Sequence, residues 1–183
     1  SYALARIDPD LPVHNLAVGG ARVLDVVEGT TDLGVNFVGH LVFEPGGDFL
    51  SPLTTTQMEH LEMLEPTLVV SFDLLGNDVI NGIVGGETFN LQNMTPYADI
   101  ERGIDQVIGR LAATGAEVFL ANLPRPSTLP VTLEKRALAL TADPNADVDL
   151  IIRSIDQTAI DANAHLAMRA AGHDRIHIVD LFT

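Results

Sequence analysis

Short, almost wholly apolar runs alternate along this chain with longer segments whose apolar residues recur every three or four positions. The runs predict β-strands, because a continuous apolar run is typical of a strand in a parallel sheet. They lie at residues 13–18, 67–72, 116–121 and 176–183. The periodic segments predict helices, which lie at 56–64, 79–84, 95–114, 133–140 and 149–171.

Local signals mark several helix ends. Thr56 and Glu59 have the spacing of a capping box, in which each side chain satisfies a backbone N–H of the first turn. Thr95 and Pro96 predict a helix start, with threonine as the N-cap and proline in the first turn. Gly115 predicts the end of the same helix, since glycine accepts the left-handed conformation of a C-cap.

Strands that alternate with helices predict right-handed crossovers, a parallel sheet and an α/β fold. We expect a single domain over residues 1–183, a three-layer αβα sandwich of flavodoxin-like type in which 67–72 is a central strand. Both ends are expected to be truncated. The chain starts without a methionine, and it stops at a predicted core strand with no covering helix after it.

Composition narrows the classes of function. The 183 residues carry 10 Lys and Arg against 25 Asp and Glu, a formal charge of −15, which disfavours nucleic acid and anionic membrane surfaces as partners. No run is apolar for the roughly 18 residues that a membrane span requires. Cysteine is absent, which excludes disulfides, thiolate metal sites and cysteine nucleophiles. No metal or other cofactor is predicted, and neither a compartment nor an oligomeric state follows from the sequence.

Candidate chemistry lies in the loops that follow three predicted strands, where α/β folds place their sites. These loops contain Gly19-Gly20, Gly76-Asn77-Asp78 and Asn122. Glycine lets backbone N–H groups approach a ligand, and asparagine offers a neutral N–H donor, so together they suit an oxyanion hole. Each also has a structural interpretation: a tight turn for the glycine pair, a helix cap for the second loop, and a strand-end hydrogen bond for Asn122.

The order of these motifs resembles that of the SGNH hydrolases, the GDSL-type esterases and lipases. The resemblance spans nearly the whole chain. The residues that carry it are Asn15 to Ala21, the strand from Pro66 to Gly76-Asn77-Asp78, Thr95-Pro96, Asn122-Leu123-Pro124 and the final strand around Asp180.

The resemblance implies serine-dependent hydrolysis of a small-molecule or lipid ester through an acyl-enzyme. It assigns the oxyanion-hole donors to the Gly20 backbone and the Asn77 amide, with Gly19, Gly76, Asp78 and Asn122 as further substrate-binding positions. The family's Gly-Asp-Ser nucleophile block and Asp-x-x-His block have no counterpart here, so they are expected before Ser1 and after Thr183. By itself this chain is therefore expected to be inactive. A secreted or periplasmic location fits if the missing N-terminus carries a signal peptide.

Two other interpretations of the sequence remain. Asp174 and His177 have the literal Asp-x-x-His spacing, but they precede the final strand instead of following it. They are therefore expected at the opposite edge of the sheet from the site, in a surface turn between helix and strand. The alternative function is a non-catalytic carbohydrate- or partner-binding domain on the same fold. A nucleotide or phosphate binder is disfavoured by the acidic balance.

Overall fold

The computed structural model describes residues 16, 20–30, 55–85 and 88–182. The predicted strand at 13–18 lies outside these residues except for Leu16, and Gly19 lies outside them as well. All structural statements below concern the described part of the chain.

Six helices and three strands form the described fold. In chain order they are α1 (Val23–Glu28), α2 (Gln57–Met63), β1 (Leu68–Ser71), α3 (Gly76–Val84), α4 (Tyr97–Thr114), β2 (Glu117–Ala121), α5 (Pro130–Ala142), α6 (Val148–Ala170) and β3 (Ile176–Val179). Single 3₁₀ turns occur at Leu91–Asn93 and Pro126–Thr128. The chain is thus a mixed α/β protein, as predicted.

The strands form a parallel sheet in the order β1-β2-β3. Ser71 is paired with Leu120, and Leu120 with Ile178, so the three strands end at the same edge. The described sheet contains no strand beyond β1, which the sequence predicts to be central. In the described sheet β1 is therefore an edge strand, although its composition is that of a buried one.

Among the described residues, helices cover one face of this sheet and not the other. Val118, Leu120 and Ile176 are buried in the same core as α1, α3, α4 and α6. On the opposite face Leu68 is 56%, Val70 49% and Phe119 38% exposed. Both crossovers step in the same direction from β1 to β3, and right-handed crossovers then place their helices on one side. The described residues therefore make two layers.

Several predicted signals are confirmed in detail. The Thr56 hydroxyl accepts from the Glu59 N–H at 3.2 Å, and the Glu59 carboxylate accepts from the Thr56 N–H at 2.7 Å, which completes the capping box. Gly115 has a left-handed backbone with φ of 72° and ends α4.

Several helix starts differ from the prediction. The N-cap of α4 is Pro96, not Thr95, and among the described residues the Thr95 hydroxyl accepts no N–H of the first turn. The Thr95 N–H is donated to the Asp78 carbonyl. Helix α5 begins at Pro130 rather than near 133, since proline lacks an N–H and fits the first helical position. Helix α1 was not predicted at all.

Candidate functional site

A groove of about 610 Å³ runs along the outer edge of β1. All six residues from 67 to 72 line it, so it follows the edge of the strand rather than one of its faces. Apolar side chains from α2 and α4, such as Met58, Leu61 and Leu111, form its floor and wall. Polar residues lie where β1 ends and α3 begins, namely Ser71, Asp73 and Asn77.

Asn77 connects two of the predicted site motifs. Its side-chain Nδ2 donates to the Ala21 carbonyl at 2.8 Å, across 56 positions of sequence. Gly20, the preceding residue, lies in a turn and has a φ of 87°, a conformation that favours glycine. The structure therefore brings the Gly20-Ala21 turn to Asn77, beside the groove.

Gly76 begins α3 and leaves room for a neighbouring carboxylate. A Cβ at this position would lie 2.0 Å from Oδ1 of Asp73, so any side chain here would displace that carboxylate. A carboxylate is favoured at a helix N-terminus, where backbone N–H groups point outward. Partial burial nevertheless raises the pKa of Asp73. The role of Gly76 in this geometry is to let Asp73 approach the helix start beside Asn77.

Asp78 is fully buried, and its carboxylate holds the start of α1. Its Oδ2 accepts from the Val23 N–H at 2.9 Å, and its backbone carbonyl accepts from the Thr95 N–H at 2.8 Å. Burial raises the pKa of Asp78 to about 6. The nearby Thr95 hydroxyl partly offsets this shift, although neither that hydroxyl nor Asp78 Oδ1 has a hydrogen bond of normal geometry to the described residues.

The raised pKa of Asp78 predicts a pH-dependent stability. Since the folded state binds this proton more tightly than the unfolded chain, the stabilisation is present below pH 4 and is lost as pH rises through about 6. A shift of about two pKa units corresponds to about 3 kcal/mol. We expect Asp78→Asn to be about 3 kcal/mol more stable, relative to wild type, at pH 7.5 than at pH 3 in urea unfolding. If the difference in unfolding free energy between Asp78→Asn and wild type does not change with pH, the raised pKa of Asp78 is contradicted.

Asn122 lies at the end of β2, and both ends of its amide are engaged. Its Nδ2 donates to Asp180 Oδ1 at 2.7 Å, and its Oδ1 accepts from the Leu181 N–H at 2.6 Å. The bond from Asn122 Nδ2, together with that from the Phe182 N–H, lowers the pKa of Asp180. Asn122 does not line the groove. Its observed contacts are those of the structural interpretation, a link between the ends of β2 and β3.

The Asp-x-x-His pair is not assembled as a catalytic pair. His177 lies within β3, where its ring stacks on Phe119 with centroids 4.8 Å apart and its Nε2 is 3.0 Å from Glu117 Oε2. Asp174 lies in the exposed turn before the strand. Within the described ranges no group of three or more His, Asp or Glu side chains is placed to hold a metal ion.

Two site features were missed from the sequence. Asp73 gave no motif, because its place over Gly76 depends on the turn between β1 and α3. The bond from Val23 to Asp78 joins residues 55 positions apart. The one available signal was a carboxylate at the third position of a short apolar helix, which indicates a capping role rather than burial.

No family model and no curated protein sequence matches this chain. In the described part of the chain, every helix is too short or too polar to cross a bilayer.

Proposed function

We propose that this chain is part of a serine-dependent carboxylic ester hydrolase and supplies its oxyanion hole. The observation that carries the proposal is the 2.8 Å hydrogen bond from the Asn77 amide to Ala21. It joins the glycine turn and the asparagine motif at one end of the groove, and these are the two motifs to which the resemblance assigns the donors.

The Asn77 amide has the hydrogens that this role requires. One N–H of Nδ2 is held by the Ala21 carbonyl, which fixes the orientation of the amide. No described residue accepts the second N–H, which is proposed for the ligand, and the Gly20 backbone N–H is the proposed second donor. Both donors are neutral, so their strength does not depend on pH. Fixed donors of this kind stabilise charge that develops in the transition state without the cost of reorganising.

The chemistry follows the acyl-enzyme scheme. A serine outside this chain transfers its proton to a histidine as its oxygen attacks the ester carbonyl, and the carbonyl π electrons move onto oxygen. Gly20 and Asn77 hold that oxyanion. The carbonyl reforms as the alcohol leaves with the histidine's proton, and water then cleaves the acyl-serine by the same route. No cofactor takes part.

The open edge of β1 is the proposed place for the strand that carries the serine. The Thr67 carbonyl accepts from the Glu117 N–H. In a parallel pair the residues whose backbone groups are bonded to the partner alternate. The backbone N–H and C=O groups of Val69 and Ser71 therefore point to β2, and those of Leu68 and Val70 point to the groove. A parallel strand in the groove would end beside Asn77, because parallel strands end at a common edge.

Hydrogen exchange tests this strand position. In the 183-residue chain we expect fast exchange for the Leu68 and Val70 amides and slow exchange for Val69 and Ser71, which are the internal control. In a longer protein that contains the chain and the nucleophile block, Leu68 and Val70 should become protected by at least about tenfold. If the Leu68 and Val70 amides exchange as fast in the longer protein as in the 183-residue chain, the proposed pairing is contradicted.

A third layer is proposed for the uncovered face of the sheet. Leu68, Val70 and Phe119 are exposed there, whereas parallel sheets are normally covered by helices on both faces. The three-layer sandwich expected from the sequence would complete this face in the longer protein. Fluorescence of a hydrophobic dye bound to the face should then fall relative to the 183-residue chain, and an undiminished signal would contradict the third layer.

Ester hydrolysis is the direct test of the proposed activity. A longer protein with both missing blocks is expected to hydrolyse short acyl esters and to lose this activity when a serine-directed phosphonate is added. The 183-residue chain is expected to show no such turnover. A longer protein that binds ligand in the groove but hydrolyses no ester would favour the alternative, a non-catalytic binding domain.

A further inference from the structure

Two hydrogen bonds join one short backbone segment to consecutive side chains of α3. The Ala21 carbonyl accepts from the Asn77 amide at 2.8 Å, and the Val23 N–H donates to the Asp78 carboxylate at 2.9 Å. Asparagine and aspartate thus recognise one acceptor and one donor of the same segment. The neighbouring residue on this segment is Gly20, the proposed oxyanion donor.

The Asp78 bond is the buried member of this pair. Asp78 and Val23 are both completely buried, whereas Asn77 is only partly so. Asp78 is also fixed at its backbone, where the Thr95 N–H is bonded immediately before α4. Asp78 therefore links three helices. It belongs to α3, its backbone carbonyl is bonded just before α4, and its carboxylate is bonded to the first residue of α1.

We propose that Asp78 is a positioning residue, whose acceptor oxygen holds the Gly20-Ala21 turn against Asn77 through the Val23 N–H. The inference rests on the proposed function only for its catalytic consequence. The residue needs an oxygen at this point, and it does not need a negative charge. Asparagine presents a carbonyl oxygen in the same place, whereas leucine has a similar shape and no acceptor.

The charged groups around the carboxylate predict how its titration responds to substitution. Arg22 lowers the pKa of Asp78 and Asp25 raises it, and both belong to the segment that starts α1. Asp25 also caps that segment, since it accepts from the Arg22 N–H at 2.8 Å. Asp25→Asn is therefore a matched control, because it removes a carboxylate from the same helix start while leaving the bond to Val23.

The first measurement uses NMR spectra of the amide groups and hydrogen exchange, both on the 183-residue chain. In wild type, the chemical shifts of the Val23 amide and of the Asn77 side-chain amide should change together as Asp78 titrates, with a midpoint set by its pKa of about 6. In Asp78→Asn this titration should be absent and Val23 should stay protected. In Asp78→Leu, exchange at Val23 should rise by at least about tenfold. In Asp25→Asn both signals should still titrate, with a lower midpoint.

The second measurement uses turnover by the longer ester hydrolase. Asp78→Leu is expected to lower kcat at least about tenfold with little change in KM, and Asp78→Asn to stay within about threefold of wild type. Unchanged Val23 exchange in Asp78→Leu, or a kcat equally reduced in both variants, would overturn the positioning role. If Asp78→Leu does not fold, fast exchange of the Val23 amide in wild type or in folded Asp78→Asn overturns it, because the oxygen of residue 78 would then not hold the Val23 N–H. Hydrolysis missing from wild type itself contradicts the proposed function and leaves the exchange measurement to decide the role of Asp78.

Discussion

Replacing Asn77 by alanine in the longer ester hydrolase is expected to lower kcat by at least about a hundredfold, the usual cost of losing one oxyanion donor. The substitution removes the N–H proposed for the oxyanion and also the bond that ties α3 to the Ala21 carbonyl. Loss of the bond to Ala21 should lower the free energy of unfolding by only about 1 kcal/mol, so the variant should remain folded. Steady-state kinetics with a short acyl ester gives kcat, and circular dichroism verifies folding.

Asn81→Ala is the matched control for this prediction. Asn81 lies on the same helix one turn after Asn77 and does not line the groove. Its replacement should leave kcat within about twofold of wild type. A kcat for Asn77→Ala close to that of Asn81→Ala would remove Asn77 from the mechanism.

Replacing Gly103 by alanine is expected to destabilise the fold by about 1–3 kcal/mol, the usual cost of overpacking a core. Gly103 is a buried position of α4, and a Cβ there would lie 2.5 Å from Cγ1 and 3.2 Å from Cβ of Val23. Val23 is completely buried and begins α1, so this side chain and the helix start that carries it must shift. The same shift would disturb the bond between Val23 and Asp78. Urea unfolding measures the change.

Gly109→Ala on the same helix separates packing from helix propensity. A Cβ at Gly109 meets no atom within 4 Å, so alanine there should stabilise the protein by up to about 1 kcal/mol. Combining Gly103→Ala with Val23→Ala should cost less than the sum of the two single changes, because the second removes the methyl groups that clash. Equal stabilities of Gly103→Ala and Gly109→Ala would contradict the close packing of α1 on α4.

Elements that depend on neighbouring residues could be predicted from the sequence. The capping box of Thr56 and Glu59, the glycine that ends α4 and the three described strands all rest on local physics, and the structure confirms them. The meeting of the Ala21 turn with Asn77 was expected only from the order of the motifs, and their hydrogen bond brings them together.

Features that depend on tertiary contacts could not be predicted. Helix α1 has six residues, with three valines that disfavour a helix in isolation. It is stabilised by the bond from Val23 to Asp78 and by packing on Gly103. Thr95 is a second case, because its backbone N–H is held by the Asp78 carbonyl while its buried hydroxyl accepts no N–H from the described residues. Both cases depend on one buried residue, Asp78, which uses its carboxylate for α1 and its backbone carbonyl for Thr95. No local pattern indicates its burial.

The most direct test of the proposed oxyanion hole is a proton NMR spectrum of the longer protein with a phosphonate bound covalently to its serine. The phosphonyl oxygen occupies the place of the oxyanion, so one Nδ2 proton of Asn77 and the Gly20 amide proton should move downfield as they form hydrogen bonds to it. The Asn81 side-chain amide should not change. An inhibited protein in which the Asn77 and Gly20 signals stay where they were would contradict the proposed oxyanion hole.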